Sequence, residues 1–286
     1  MEKRKKYLYI SIGFITALAI IVVMGMQKNT NTVKIEEMEQ LCREVLPYTS
    51  LSGQSRSISR FSYQGIVESS DEQNAGLAKF NNGTFNYYVD SAFEQLRKVE
   101  SISDFDFDSV PLAENEITDA SDQLFLTASG QDIFSGCVKN VSPSDDKLSF
   151  TIDYIYLKDT IEVPAASITY LYDGTLFYAY FYNMDVLNQP DLQSAGTTAI
   201  TEDEAIAIAE ETAEEFISYK SGEYAERYVL DTTSVTCSKW YSRKENRDCW
   251  RVCMSYRMPD VEVPFYFEIF LDMYTGEVIY NANNYT

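Results

Sequence analysis

Ile200-Thr201-Glu202-Asp203-Glu204-Ala205-Ile206-Ala207-Ile208-Ala209 and, further along, Phe267-Glu268-Ile269-Phe270-Leu271-Asp272-Met273-Tyr274-Thr275-Gly276-Glu277-Val278-Ile279-Tyr280 decide the fold of this chain. The first stretch opens an amphipathic helix. Thr201 can accept a backbone N–H of the first turn, and Glu204 completes a capping box. Ala205, Ile206, Ala209, Ala213, Phe216 and Ile217 recur at helical spacing and form one apolar stripe suited to lying on a sheet. The second stretch is a strand ending at Asp272, a turn in which Gly276 adopts its conformation without Cβ strain, and a returning strand from Val278. Strands are predicted at 227–240, 249–257, 264–272 and from 277.

Upstream, residues 34–46 carry Ile35, Met38, Leu41 and Val45 at helical spacing, with Pro47 as a stop. The Ser- and Gly-rich stretch 49–62 reads as a linker. A strand is predicted at 61–68, then a hairpin of 77–80 with 84–89 around Asn81-Asn82-Gly83. Ser91-Ala92-Phe93-Glu94 has the capping-box pattern and predicts a short helix to Glu100. A further helix is predicted from Glu114 to Ala128, closed by Gly130. Strands follow at 132–141, 148–157 and 166–182, the last broken by a turn at Asp173-Gly174. Asn188 to Thr198, with Pro190 and Gly196, reads as a boundary between lobes.

The N-terminus bears on compartment. Lys3, Arg4, Lys5 and Lys6 precede an uncharged, mostly apolar run from Tyr7 to Met26. At ~1.5 Å per residue that run spans roughly 30 Å, the thickness of a bilayer core. The basic tip favours a cytoplasmic N-terminus, so a single-pass cell-membrane anchor with an extracytoplasmic C-terminal domain is expected. A cleaved signal peptide is the competing reading, but such apolar regions are usually shorter and no A-x-A site follows. Gly13 and Ala17 form a small-xxx-small pair, a candidate for packing against a partner's transmembrane helix as well as plain anchoring.

The domains expected are a tip at 1–6, an anchor at 7–26, a juxtamembrane helix and linker at 27–60, a first lobe at 61–190 and a second at 199–286. The fold class is α+β: a transmembrane helix followed by two lobes, each a helix on an antiparallel sheet. Phe150–Leu171 aligns without gaps with Trp250–Leu271 at an offset of one hundred. Tyr156 matches Tyr256, and Glu162-Val163-Pro164 matches Glu262-Val263-Pro264. This points to duplication of the lobe.

The chain holds 23 basic and 44 acidic residues, a net charge of −21. Four of the basic residues and one acidic one sit in the tip, so the remainder is more acidic still. Such a surface repels nucleic acid and anionic lipid; it could attract cations or a basic partner, and solubility outside the cell accounts for it equally. Histidine is absent, which removes Ser-His-Asp and Cys-His sites and every His-containing zinc motif. No catalytic, cofactor-binding or metal-binding residues are assigned.

Five cysteines are present, and their spacing fits no zinc site. A hairpin centred near residue 245 would set Cys237 opposite Cys253 and Trp240 opposite Trp250. A Cys237–Cys253 disulfide is then one expectation in an oxidising compartment, with free buried thiols as the other.

The opening Ile200–Ala209, the strand around Trp250-Arg251-Val252 and the ending Phe267–Tyr280 together resemble a PepSY domain over about 199–281. A divergent second copy is placed at about 112–182. The resemblance implies an extracytoplasmic module that inhibits or regulates a partner such as a protease, and it brings no catalytic residues. The whole-chain plan is also similar to the YycH/YycI regulators, which implies a sensor kinase as partner.

Three weaker signals complete the reading. Asp104-Phe105-Asp106-Phe107-Asp108 alternates as a strand does, and as a calcium loop it lacks both the central Gly and the final Glu. Tyr170, Tyr172, Phe177, Tyr178, Tyr180, Phe181 and Tyr182 fit strand packing, with an exposed subset able to recognise peptide or glycan. A carboxylate-dependent envelope hydrolase is the enzymatic alternative, and it requires two acids flanking a cleft.

Overall fold

The computed structural model describes residues 32–51, 61–68, 76–92, 94–102, 111–144, 148–188, 199–243, 245–259 and 264–283. The expected anchor with Gly13 and Ala17, the Asp104–Asp108 alternation and most of the 188–198 boundary lie outside these residues. Among the described residues no helix is long and apolar enough to cross a membrane.

The protein is a mixed α+β chain with few helices and many strands. It divides into two compact units that interleave in sequence. Residues 1–134, 141–152 and 166–183 form the first unit, and 135–140, 153–165 and 184–286 the second.

The first unit begins with α1 (32–45), which buries Met38, Cys42 and Val45. Its strands β1 (Ser62–Ile66), β2 (Ala78–Asn81), β3 (Phe85–Val89) and β4 (Leu96–Ser101) form an antiparallel meander. Asn82 makes the β2–β3 turn, its side-chain oxygen accepting from the N–H of Thr84 (3.0 Å) and of Phe85 (2.8 Å). Helix α2 (Glu114–Ser129) starts with Glu116 accepting from Ala113 N–H at 3.1 Å and ends at Gly130, as the sequence predicts. After α3 (Gln131–Ser135) come β5 (Cys137–Pro143), β6 (Ser149–Lys158), β7 (Ile161–Leu171) and β8 (Leu176–Phe181). Strand β8 lies between β4 and β7, antiparallel to both. Ile117, Leu124 and Phe125 of α2 are buried, as are Phe80, Tyr87, Leu96, Val99, Ile168, Tyr170, Leu176 and Ala179 of the strands. The buried Tyr170 hydroxyl donates to Tyr48 O at 2.5 Å, joining β7 to the turn that ends α1.

The helix expected from Ser91 to Glu100 is not formed. Residues 91–92 turn, Asp90 accepts from Glu94 N–H at 2.9 Å, and the chain continues as β4. Leu96 and Val99 are buried, and β4 pairs with both β3 and β8. A strand hydrogen-bonded on both sides satisfies more buried backbone than one short helix, so the sheet overrides the local cap signal.

The second unit is built on α4 (Glu202–Ser221). Thr201 Oγ1 accepts from Glu204 N–H (3.3 Å) and Glu204 Oε2 accepts from Thr201 N–H (2.8 Å), which is the predicted capping box. Its strands are β9 (Val229–Leu230), β10 (Thr236–Ser242), β11 (Arg247–Arg257), β12 (Phe265–Asp272) and β13 (Val278–Asn283). Strands β10 to β13 run antiparallel in order, β9 adds to β11, and β10 lies parallel to the part of β7 in this unit. Ala205, Ala209, Ala213 and Ile217 cover a core of Trp250, Val252, Met254, Tyr256, Phe265, Phe267, Ile269 and Leu271. The small residues of the stripe let the helix lie close over large strand side chains.

Helices α2 and α4 are each followed by a run of four strands, β5–β8 and β10–β13, but α3 intervenes in the first run and β9 in the second. The gapless match does not hold at strand ends, however. Glu162-Val163-Pro164 lies within β7, whereas β12 begins at Phe265, after Pro264.

Candidate functional site

Asp272 organises the corner that joins β12, β13 and the start of α4. Its Oδ1 accepts from the N–H of Tyr274 (2.9 Å) and of Thr275 (2.8 Å), and its Oδ2 from Arg247 Nη1 (2.7 Å). Burial opposes its ionisation, but the Arg247 guanidinium and the two backbone N–H groups outweigh that and hold the carboxyl below the usual range. Gly276 has φ +71, and a Cβ there would meet Ile208 Cδ1 at 2.8 Å. Ile200 N–H donates to Met273 O (2.9 Å), and Trp250 Nε1 donates to Ile200 O (3.2 Å). The Asp-x-x-Thr-Gly corner is thus a docking point for the helix N-terminus, a structural role.

With alternate residues of β10–β13 turned to α4, the other set forms the face turned away from α4. The register sets Ser238, Arg251, Phe270 and Tyr280 in one row across the four strands, and Thr236, Cys253, Glu268 and Ala282 in the next. The Arg251 guanidinium sits 4.6 Å from the Trp240 ring centroid and bonds Glu268 through Nε at 2.5 Å. Burial works against the Arg251 charge, and Glu268 more than restores it, so its pKa is raised. Trp240 meets Phe270 edge-on at 6.2 Å, and Phe270 meets Tyr280 at 6.1 Å. Ser238 donates to Glu162 Oε2 at 3.0 Å. Tyr280 and Tyr266 are each 53% exposed on this face. A cation held over an aromatic row, with acids at its margins, suits recognition of a polypeptide surface.

The cysteine expectation is corrected by register. Ser242 pairs with Arg247, so Cys237 faces Val252 and Cys253 faces Thr236, one residue away from the arrangement expected. A slip of one residue puts two side chains on opposite faces. Cys237 packs with the helix-side core, Cys253 lies on the opposite face, and the two are not joined by a disulfide. Burial pushes the Cys249 thiol up to about 12 and the Cys237 thiol up to about 11. Trp240 likewise faces Cys249, and Trp250 faces Lys239. Among the described residues no group of His, Cys, Asp and Glu could hold a metal ion.

The tyrosine-rich strand of the first unit divides as alternation requires. Tyr170 and Phe181 are buried, while Tyr178 and Tyr180 take the polar side. There the Lys98 ammonium lies 5.1 Å from the Tyr180 ring centroid and 5.4 Å from that of Tyr88, and 2.5 Å from Glu100. Tyr88 donates to Glu100 at 2.5 Å and Asn86 at 3.2 Å. Burial opposes the Glu100 charge, but these donors overcome it and lower its pKa. The tyrosines beside Lys98 are therefore engaged within the fold. Phe177 and Tyr182 are the exposed members of the run.

Sequence reading missed the Arg251–Trp240–Phe270–Tyr280 cluster. The strand alternation that assigns these residues to one face was available. The hairpin register that aligns them was not, because it depends on a turn one residue away from the symmetric guess.

No protein-family model matches the chain. No curated protein matches it. Among solved structures, the Bacillus megaterium YpeB C-terminal domain is similar over 87% of this chain and 96% of that one, with 9% sequence identity and a TM-score of 0.43.

Proposed function

We propose that this protein is a membrane-tethered extracytoplasmic binding protein that regulates a partner through its PepSY-like units, without an enzymatic step of its own. The observation that carries this reading is the face of β10–β13 turned away from α4, where Trp240, Arg251, Phe270 and Tyr280 form a continuous aromatic and cationic cluster. Large, rigid side chains of this kind bury much area at small entropic cost. The basic tip and the apolar run Tyr7–Met26 support tethering to the cell membrane with the units outside. Restraint of a sensor kinase, as in the YycH/YycI regulators, is the narrower form of this reading.

A photo-crosslinking residue at Tyr266 of the full chain, in its own membrane, tests it. A discrete adduct that disappears with Trp240→Ala and survives Tyr219→Ala on α4 is expected. Absence of a discrete adduct, or one indifferent to Trp240→Ala, refutes it.

A further inference from the structure

Strand β13 ends the strand order of the second unit, and among the described residues it pairs only with β12. Its sequence, Val278-Ile279-Tyr280-Asn281-Ala282-Asn283, carries no charge and no proline. Exposed sheet edges are ordinarily protected by lysine, proline or a strand-long irregularity, because unpaired N–H and C=O groups invite another strand. The irregularity here is confined to Ile279, and Tyr280 to Asn283 run in regular register with Phe270 to Phe267.

The surroundings of the edge are acidic. Glu277 is exposed immediately before β13. On α4, Ile208 reaches the β12–β13 turn at Gly276. Helical spacing puts exposed Glu211 and Glu215 on the same row as Ile208. Glu210 and Glu214 belong to the other side, where they act on Tyr256 of β11. Asn281 also has a side-chain oxygen closed to water that accepts no hydrogen bond.

We propose that β13 is a strand-addition site for an extended segment of another protein that carries Lys or Arg at alternating positions. This rests on the binding reading above and names where and by what chemistry the partner docks. The segment's backbone completes the open ladder, and its cations meet Glu211, Glu215 and Glu277. A second copy of this chain fits less well, since each brings a net charge of −21 to the contact.

Amide hydrogen exchange on the full chain in non-ionic detergent, at low salt, tests the proposal with two peptides of equal charge. Acetyl-(Lys-Thr)4-amide can extend as a strand, and acetyl-(Lys-Pro)4-amide cannot supply a ladder. Exchange at Ile279–Asn283 is expected to slow by about tenfold with the first peptide and to stay unchanged with the second. The double substitution Glu211→Gln, Glu215→Gln is expected to raise the peptide concentration required by about fivefold or more. No protection at millimolar peptide, equal protection by both peptides, or indifference to the double substitution overturns the proposal. Protection that grows with protein concentration alone also overturns it and assigns the edge to a second copy. The Tyr266 adduct decides the binding reading separately. If that adduct forms and depends on Trp240 while β13 stays unprotected, strand addition fails and the binding reading stands.

Discussion

Replacing Asp272 separates the two jobs of one carboxylate. It is 6% exposed and accepts three hydrogen bonds, from Tyr274 N–H, Thr275 N–H and Arg247 Nη1. Asp272→Ala removes all three and leaves two backbone donors at the corner without a partner. Bonds to a charged acceptor contribute about 1.5–3 kcal/mol each when fully desolvated, and orphaned donors cost about 1–3 kcal/mol. Water reaches this corner from the Arg247 side, so the sum is discounted to about 3 kcal/mol. Asp272→Asn keeps an oxygen for both backbone N–H groups and loses only the bond to Arg247, a cost of about 1 kcal/mol. With a urea slope of about 2–3 kcal/mol/M, the Ala variant should unfold roughly 1–1.5 M earlier and the Asn variant roughly 0.3–0.5 M earlier. Tryptophan fluorescence of the full chain reads the right place, because Trp240 and Trp250 both lie in the second unit. Trp250 is moreover tied to Ile200 beside the corner. Equal shifts for the two variants would refute the reasoning, since the backbone bonds would then contribute nothing.

Other perturbations have defined outcomes. Asp272 has a folded pKa below its unfolded value, so its contribution is present above about pH 4 and is lost as pH falls through the folded value. The urea midpoint of the second unit should therefore hold from neutral pH to about 5 and drop below about 4, and Asp272→Asn should flatten that acid limb. Gly276→Ala combines an L-residue at φ +71 with a contact to Ile208 and should cost about 1–2 kcal/mol, read by the same fluorescence titration. Thr201→Ala removes the cap of α4 and should cost about 1 kcal/mol by thermal unfolding. Cys42 and Cys249 are buried with raised thiol pKa values, so a thiol reagent should modify neither at pH 7 until urea is added. Peptide mapping after mild oxidation should find no Cys237–Cys253 link.

The local elements were legible because their causes are local. The Thr201–Glu204 box, the Asn81-Asn82-Gly83 and Asp173-Gly174 turns and the Asp272–Gly276 corner each close within a few residues, and all form as read. Gly130 closes α2 for the same reason. Ser91–Glu94 has an equally good local signal and fails. Its chain is claimed by β3 on one side and β8 on the other, and β8 is distant in sequence.

The sequence by itself determined helices α1, α2 and α4, the Asn82-Gly83 and Asp173-Gly174 turns, the acidity of the chain and the absence of histidine chemistry, since these follow from residue type and short-range hydrogen bonding. Only the tertiary structure decided which strands are neighbours and in which register. That settled the separation of Cys237 from Cys253, the engagement of Tyr180 by Lys98, and the gathering of Trp240, Arg251, Phe270 and Tyr280 from four strands into one cluster. The physical reason is the two-residue period of a strand. One step of register exchanges its faces, and long-range packing of the helix-side core, rather than local sequence, selects the step.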